Sequence, residues 1–246
     1  MGGQIMANKK YAYEYPHPAV TVDCVIFGYD IKEGLSVLLV RRGVEPFKGQ
    51  LAFPGGFLKV DEDLNAEEAA RRELREETGL TPVWIEEFGC FSKKDRDPRE
   101  RVITIAYLAL VKKDDAVKGG DDAASAEWRS VDSLINRKDG EKTLAFDHDE
   151  ILNAAMSKLK EKIHFEPIGF DLLPQVFTMP QLYRLYESIG IERDRRNFSN
   201  KMLKLGILEE VSDRPENAGP RIPVKYSFNR DKYEELKNKK RMIIEF

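Results

Sequence analysis

The chain has 246 residues and a net charge of −3, with 41% hydrophobic and 34% charged residues, a balance that predicts one or two globular domains and argues against a disordered protein. Its two cysteines, Cys24 and Cys90, are too few for a disulfide framework or a thiolate metal site, and no apolar run reaches the roughly 18 residues of a membrane span. Because there are also only three histidines, any metal is expected on oxygen ligands. The low cysteine count and the lack of a long apolar run predict a cytoplasmic protein without a membrane partner.

The first part of the chain interleaves strands and helices. Runs rich in Val, Ile and Leu predict strands at 20–27, 35–41, 51–56, 84–90 and 101–111. Helical patterns predict helices at 66–78, 130–136 and 149–163. This alternation favours an α+β fold in which a mixed sheet is covered by helices on its faces.

The helix at 66–78 is the most clearly marked element. Asn65 can cap it with Glu68 in the reciprocal position, and Gly79 supplies its end. Three carboxylates fall within about 100° of one another on its surface: Glu73, Glu76 and Glu77. Carboxylates this close repel each other unless a hard cation such as Mg²⁺ or Mn²⁺ lies between them.

Two flanking features favour a metal site over the alternative, a solvated helix whose arginines offset its glutamates. The paired glycines before the helix let the backbone approach closely, so that the Gly56 carbonyl can join the metal shell. Arg72 lies one turn before Glu76 and can pair with that carboxylate.

Residues 72–80 resemble the Nudix box, G-x5-E-x7-R-E-U-x-E-E-x-G-U with U aliphatic, and match it at every position. The front of the box departs from the pattern, because fifteen residues separate Gly56 from Arg72, two more than the pattern has. Counting forward from Gly56 places the first box glutamate at Glu62, whereas counting back from Arg72 reaches Leu64.

This resemblance covers roughly residues 20–163 and implies an α/β/α sandwich that hydrolyses a nucleoside diphosphate derivative such as ADP-ribose with Mg²⁺ or Mn²⁺. It makes the three helix glutamates metal ligands, and Glu76 and Glu77 catalytic. Members that cleave ADP-ribose often take a general base from the loop after the long central strand, here residues 112–126. Asp121 and Asp122 are the candidates there, with a solvated turn as the alternative.

Substrate ligands are expected beside the glutamate helix. The candidates for phosphate and base contacts are Arg41, Arg42, Phe47 and Arg72. The charge-rich loop at 95–101 is a further candidate for the pocket. The alternative for arginines that follow a strand is a simple surface position.

A break rich in proline and glycine at 165–174 predicts a domain boundary, with domains at 1–164 and 165–246. Beyond it, Thr178 and Gln181 form the capping box of a helix whose buried face is Leu182, Leu185, Tyr186 and Ile189. A second helix at 194–205 and a hairpin of 207–211 with 224–228 follow, and 237–241 is expected as a solvated tail.

The helix at 194–205 has two contrasting faces. Phe198, Met202 and Leu205 form the apolar face. The other face has basic and amide side chains and no acid: Arg193, Arg196, Asn197, Asn200, Lys201 and Lys204. These residue types hold phosphates and read base edges in a major groove. The hairpin adds Arg221 and Lys225 as a basic tip, and a merely solvated surface is the alternative.

This arrangement, with the stretches 177–183 and 194–198, resembles the winged helix-turn-helix of Nudix-related transcriptional regulators. These bacterial repressors or activators control NAD-metabolism or sugar-utilisation genes and sense a ligand such as ADP-ribose. The resemblance implies a duplex DNA operator and a homodimer. Many such regulators have an eroded box, whereas this one is intact from Arg72 onward.

The sequence therefore favours a ligand-responsive regulator that retains hydrolase activity. One alternative is a catalytically inactive Nudix sensor of NAD or sugar metabolism. The other is a plain ADP-ribose pyrophosphatase whose C-terminal domain does not bind DNA.

Overall fold

The computed structural model describes residues 14–82, 84–113, 123–135, 143–191, 194–211 and 223–238. The elements before residue 165 are β1 (Ala19–Asp30), β2 (Gly34–Arg42), β3 (Leu51–Ala52), β4 (Gly55–Phe57), α1 (Ala66–Thr78), β5 (Ile85–Phe91), β6 (Val102–Lys112), β7 (Ala123–Ser130), α2 (Val131–Ile135) and α3 (His148–Lys162). Those after it are α4 (Gly169–Leu172), β8 (Phe177–Thr178), α5 (Met179–Ile189), α6 (Arg195–Lys204), β9 (Leu208–Glu210), β10 (Lys225–Phe228) and α7 (Arg230–Asn238).

A mixed sheet forms the centre of the N-terminal part. Its strand order is β3-β2-β1-β6-β5, with β4 also paired to β1 and β7 to β2. The two long central strands, β1 and β6, run parallel from the Ala19–Val102 pair to the Tyr29–Lys112 pair. A parallel pair at the centre is buried on both faces, which explains the nearly continuous apolar run of β6.

Both faces of the sheet are covered. Side chains alternate along a strand, so Val22 and Ile26 of β1 pack with α1, whereas Val25 and Phe27 pack with α3 on the opposite face. The predicted α/β/α sandwich with a mixed sheet is therefore confirmed. No helix within the described residues is long and apolar enough to cross a membrane.

The smaller C-terminal sheet has the order β8-β10-β9, and its hairpin pairs Tyr226 with Glu210. Helices α5 and α6 precede that hairpin, so the predicted winged helix-turn-helix is confirmed. Its core is continuous with that of the sandwich, because one buried cluster contains Leu159 of α3, Leu185 of α5 and Met202 of α6. The two parts therefore pack as one body along α3 and α5.

Four elements were not predicted, and the two-residue strand β8 is one of them. The loop expected at 112–126 ends in strand β7, whose sequence Ala-Ala-Ser-Ala-Glu-Trp-Arg-Ser has little β-propensity and pairs with β2 through tertiary contact. The expected break at 165–174 contains the short helix α4. Helix α7 reaches Asn238, so the prediction that the solvated tail begins at Lys237 was wrong at that end. No residue of α7 is fully buried, and its apolar contact with the core consists of the partly buried Tyr233 and Leu236, a stripe too short to indicate a helix from the sequence.

Candidate functional site

A cavity of about 330 Å³ lies between α1, the ends of β1 and β2, and the loops before α3. Aromatic rings and charges of both signs line it. The charged residues are Asp23, Arg41, Arg42, Glu73, Glu77, Arg96, Asp97 and Arg99, and the rings are Phe53, Phe57, Phe146 and His148. A pocket that combines cationic and carboxylate side chains is suited to a phosphate ligand with a bound cation.

Helix α1 spans the predicted residues, and its ends show why. The Asn65 side chain accepts a hydrogen bond from the Glu68 backbone N–H at 2.9 Å. Gly79 ends the helix in the left-handed region, with φ of 73°, a conformation that costs glycine little. Ala70 and Leu74 are buried against the sheet. Because that face is fixed, the face carrying Glu73 and Glu77 is held toward the cavity.

Arg72 lies outside the lining of this cavity, although the sequence predicted a substrate contact. Its guanidinium donates a bidentate pair of hydrogen bonds to Asp63, both at 2.9 Å, and others to Glu73, Glu76 and the Phe57 carbonyl. All five N–H donors thus have acceptors within the described residues. Arg72 therefore positions two box glutamates and the loop before α1.

The structure also resolves the ambiguity at the front of the box. Glu62 pairs with Lys59 and its side chain is 64% exposed. Asp63, which is 4% exposed, makes the buried ion pair with Arg72. Asp63 was missed because the two-residue insertion moves the acid away from both counted positions.

Glu73 and Glu77 lie together in the cavity wall. The Gly55 N–H donates to Glu77 at 3.0 Å, and a side chain added at Gly56 would come within 2.5 Å of Glu73 Oε1. Glycine at 56 therefore leaves room for the carboxylate to sit against the backbone. Burial raises the pKa of both carboxyls, that of Glu77 to about 7 with a further contribution from the nearby charge of Glu73.

The oxygen atoms of these residues are of the kind that binds a divalent cation. Both carboxylates are largely buried and keep raised pKa values, so a further positive charge would favour their ionised forms. Carboxylate and carbonyl oxygens are the ligands that Mg²⁺ and Mn²⁺ prefer. Glu76 lies at the rim, half exposed and paired with Arg72 at 3.1 Å. No group of three or more His, Cys, Asp or Glu side chains in the described part of the chain is already arranged as a metal shell.

The raised pKa of Glu77 predicts a pH-dependent stability in the metal-free protein. The folded carboxyl titrates at about 7 against a reference value of 4.5, so the folded state binds more protons between these values and stability falls as the pH rises through them. The full loss is roughly 3 kcal/mol above pH 7. Urea unfolding in chelator at pH 5 and 7.5 should show a larger stability gain of Glu77→Gln over wild type at the higher pH. A pH-independent difference would contradict this.

The predicted substrate arginines have different surroundings. Arg41 donates to Glu127 and to the Gly49 carbonyl, both at 2.8 Å. Arg42 donates to the Pro46 carbonyl at 2.7 Å, and its guanidinium lies 4.6 Å from the centre of the Phe146 ring. Burial and the charge of Arg99 lower the pKa of Arg42. Both arginines line the cavity. An anionic ligand there would offset the burial of Arg42 and its repulsion by Arg99.

Phe47 does not line the cavity but packs against a residue that does. Its ring lies edge-on to Phe146 at 4.9 Å. Both phenylalanines have positive φ, 64° and 58°, a strained conformation for a bulky residue that is found mostly where function demands it. Arg99 is 5.8 Å from the Phe146 ring on the cavity side. Phe146, which sequence reasoning missed, therefore forms a cationic and aromatic wall with Arg42 and Arg99.

The loop at 95–101, a candidate from its charge, contributes Arg96, Asp97 and Arg99 to the cavity. Arg99 and Asp97 form a bidentate pair at 2.7 and 3.0 Å. The general-base candidates Asp121 and Asp122 lie outside the described residues.

A buried network extends from the cavity into the protein. Arg96 Nη2 contacts Asp23 at 3.2 Å and Asp147 at 2.8 Å, and Arg96 Nε makes a second bond to Asp147 at 3.0 Å. His148 Nδ1 accepts from the Phe53 N–H at 2.9 Å, so its Nε2 carries the proton and faces Asp23 at 3.4 Å. Burial raises the pKa of Asp23, but His148 and Arg96 outweigh it and hold that pKa at about 2. Asp23 is therefore a fixed negative charge beside Glu77.

The helix-turn-helix presents the predicted basic face to solvent. Phe198 and Met202 are buried against α5, and Asp194 caps α6 by accepting from the backbone N–H groups of Arg196 and Asn197. Exposed or half-exposed on the other side are Arg196, Asn197, Asn200, Lys201 and Lys204. Within the described residues, none of the cations in this set has a side-chain ion pair. Arg193 and Arg221 lie outside the described residues, whereas Lys225 is exposed on the hairpin.

Comparison with known proteins gives both parts a counterpart. The NUDIX domain family model matches residues 17–155, and the NrtR DNA-binding winged helix domain model matches residues 169–228. The ADPR responsive transcriptional repressor NtrR of Acinetobacter baylyi is 31% identical over 90% of this chain and 86% of its own.

Two further proteins are similar in sequence or structure. The ADP-ribose pyrophosphatase of Methanocaldococcus jannaschii is 41% identical over 60% of this chain and 78% of its own. The crystal structure of Shewanella oneidensis NrtR complexed with a 27mer DNA has a TM-score of 0.68 at 26% identity, covering 87% of this chain and 95% of that one. The chain therefore belongs to the Nudix family, among those members whose Nudix domain is followed by an NrtR-type winged helix.

Proposed function

We propose that this protein is an ADP-ribose-responsive transcriptional regulator whose Nudix domain also hydrolyses ADP-ribose or a related nucleoside diphosphate derivative. One observation carries the proposal: a phosphate-type cavity with an intact glutamate helix shares a continuous core with an exposed basic helix. The names of the two relatives, an ADPR responsive repressor and an ADP-ribose pyrophosphatase, support the two activities separately. We place the division between the domains at residues 164 and 165.

Within the cavity, the roles divide by charge. Glu73, Glu77 and the Gly56 carbonyl would hold Mg²⁺ or Mn²⁺, with Glu76 joining from the rim. Such a cation supplies charge neutralisation on the phosphates and activates water for attack. Arg42 and Arg99 would bind phosphate oxygens, and the Phe146 ring beneath them would orient the ligand. Asp121 and Asp122 remain candidates for the general base.

The basic face of α6 would bind duplex DNA as part of a homodimer. Two copies of one helix, related by two-fold symmetry, read the two halves of a palindromic operator. The net charge of −3 cannot drive that binding, so the local basic face must.

The proposal predicts that ADP-ribose changes the DNA affinity of the wild-type protein, and that Glu77→Gln keeps this response. Phosphate contacts from Arg42 and Arg99 do not need the metal, so ligand binding should survive the loss of hydrolysis. The measurements are calorimetry with ADP-ribose and a mobility shift with the DNA upstream of the gene. DNA affinity that is the same with and without ligand would overturn the regulator proposal and favour a plain pyrophosphatase.

A second candidate is a sensor that binds without cutting. The observation that favours it is that Glu73 and Glu76 are both engaged by Arg72 rather than arranged as a metal shell. Product analysis separates the two, because a sensor gives no AMP from ADP-ribose with either metal.

A further inference from the structure

Helix α3 begins at the cavity. Arg96 and Asp23 line that cavity, and Arg96 makes two bonds to Asp147, the residue immediately before α3. The side chains of Arg96 and Asp147 are 3% and 7% exposed. We call this chain of contacts the Asp23–Arg96–Asp147 bridge. Because ion pairs without water around them keep a narrow geometry, the bridge fixes the start of α3 relative to the cavity.

Phe146, which immediately precedes Asp147 in the chain, also lines the cavity. Phe146 lies in the wall beneath Arg42 and Arg99 with φ of 58°. A ligand phosphate that attracted either guanidinium would change the packing on that ring. Relaxation of the strained backbone at 146 would then move the first turn of α3, two residues further on.

The far end of α3 lies against the helix-turn-helix. Its 15 residues span about 22 Å at 1.5 Å per residue. Lys160, in the last turn, rests on the turn between α5 and α6, because a side chain added at Gly190 would come within 3.0 Å of Lys160 Cε. Leu159 lies in the same buried cluster as Leu185 and Phe198. A shift of α3 therefore reaches the base of the DNA-facing helix through packed contacts.

We propose that the Asp23–Arg96–Asp147 bridge, acting through α3, transmits occupancy of the cavity to the helix-turn-helix. Asp147 is then a positioning residue for the coupling between ligand and DNA, and touches neither. This inference rests on the proposed function, since it assigns the route by which ligand and DNA affect each other. Coupling is a property distinct from either affinity and is measured as the ratio of DNA dissociation constants with and without ligand.

The test replaces Asp147 in the full-length protein. Asp147→Asn keeps the shape and one acceptor for Arg96 but removes the charge. The ligand is ADP-ribose with a methylene group in place of the oxygen between its phosphates, which is not hydrolysed there. The variant should bind ligand and DNA separately within about threefold of wild type, while its coupling ratio falls to within about twofold of one, against the 5- to 150-fold range typical of allosteric proteins.

Glu150→Gln is the matched control. It breaks the exposed Lys93–Glu150 pair at 2.6 Å. This pair also joins the loop that contains Arg96 to the first turn of α3, but it is not part of the bridge. Glu150→Gln should therefore leave the coupling ratio unchanged. Thermal melting of each variant reports folding.

Two results would overturn the proposed role of the bridge in coupling. One is a folded Asp147→Asn that keeps the wild-type ratio. If that variant does not fold, Lys160→Ala at the exposed far end decides, and an unchanged ratio there overturns the inference equally. A wild-type ratio of one overturns the regulator proposal itself and this route with it, so the two failures are distinguishable.

Discussion

Replacing either Glu76 or Glu77 by glutamine should lower the rate of ADP-ribose hydrolysis at least about 10²-fold, the scale of losing one contact to the transition state. Glutamine keeps the size of each side chain but removes the charge that a divalent cation needs. The measurement is AMP formation with Mg²⁺ and with Mn²⁺, at saturating substrate, for wild type and each variant.

Glu67→Gln is the control for these variants. Glu67 lies on the same helix, exposed and paired with Arg71 at 2.9 Å, so its loss removes the same charge from α1 away from the cavity. Its rate should stay within about twofold of wild type, because Glu67 lies away from the cavity. Loss of an exposed i, i+4 pair lowers the stability of the protein by only about 0.3–0.5 kcal/mol. No turnover by wild type on ADP-ribose and a panel of nucleoside diphosphate sugars would sink the hydrolase proposal.

The glutamate helix could be predicted because all its determinants are local. The cap at Asn65, the stop at Gly79 and the spacing of the glutamates lie within 15 residues of one another, and the structure places α1 at 66–78. The capping box of α5 was predictable for the same reason, and the Gln181 side chain accepts from the Thr178 N–H at 2.7 Å.

Arg41, Arg42 and the loop at 95–101 were predicted from the sequence and line the cavity, but the contacts among its buried charges could not be predicted in this way. Asp23, Arg96 and Asp147 come from three separate segments, and only the parallel pairing of β1 with β6 and the docking of α3 bring them together. Alone, each reads as an ordinary polar residue of a strand end or loop. Phe146 is similar, since nothing in the sequence indicates positive φ at a phenylalanine. Sites built from distant segments depend on the tertiary fold.

The prediction with the largest effect on DNA binding contrasts two neighbouring arginines. Arg196 is exposed on the basic face of α6, whereas the Arg195 guanidinium lies 5.2 Å from the Tyr183 ring, directed back toward α5. Arg196→Gln should weaken binding to the upstream DNA by about 1–3 kcal/mol and relax specificity at one base pair if it reads a base edge. Arg195→Gln removes the same charge one residue away and should cost much less.

Salt dependence separates base contacts from phosphate contacts on the same face. The log of the association constant should fall with the log of salt concentration by about 0.9 for each phosphate neutralised. Lys204→Gln, near the end of α6, should weaken all sequences alike and reduce that slope by about one, while Arg196→Gln acts mainly on the cognate sequence. The measurement is a titration of upstream and scrambled duplexes at several salt concentrations.

If the wild-type dimer binds neither duplex more tightly than about 10⁻⁶ M at low salt, which is ordinary non-specific affinity, α6 is not a DNA-reading helix. Equal losses for Arg195→Gln and Arg196→Gln would mean that net charge, and not the face of the helix, determines binding.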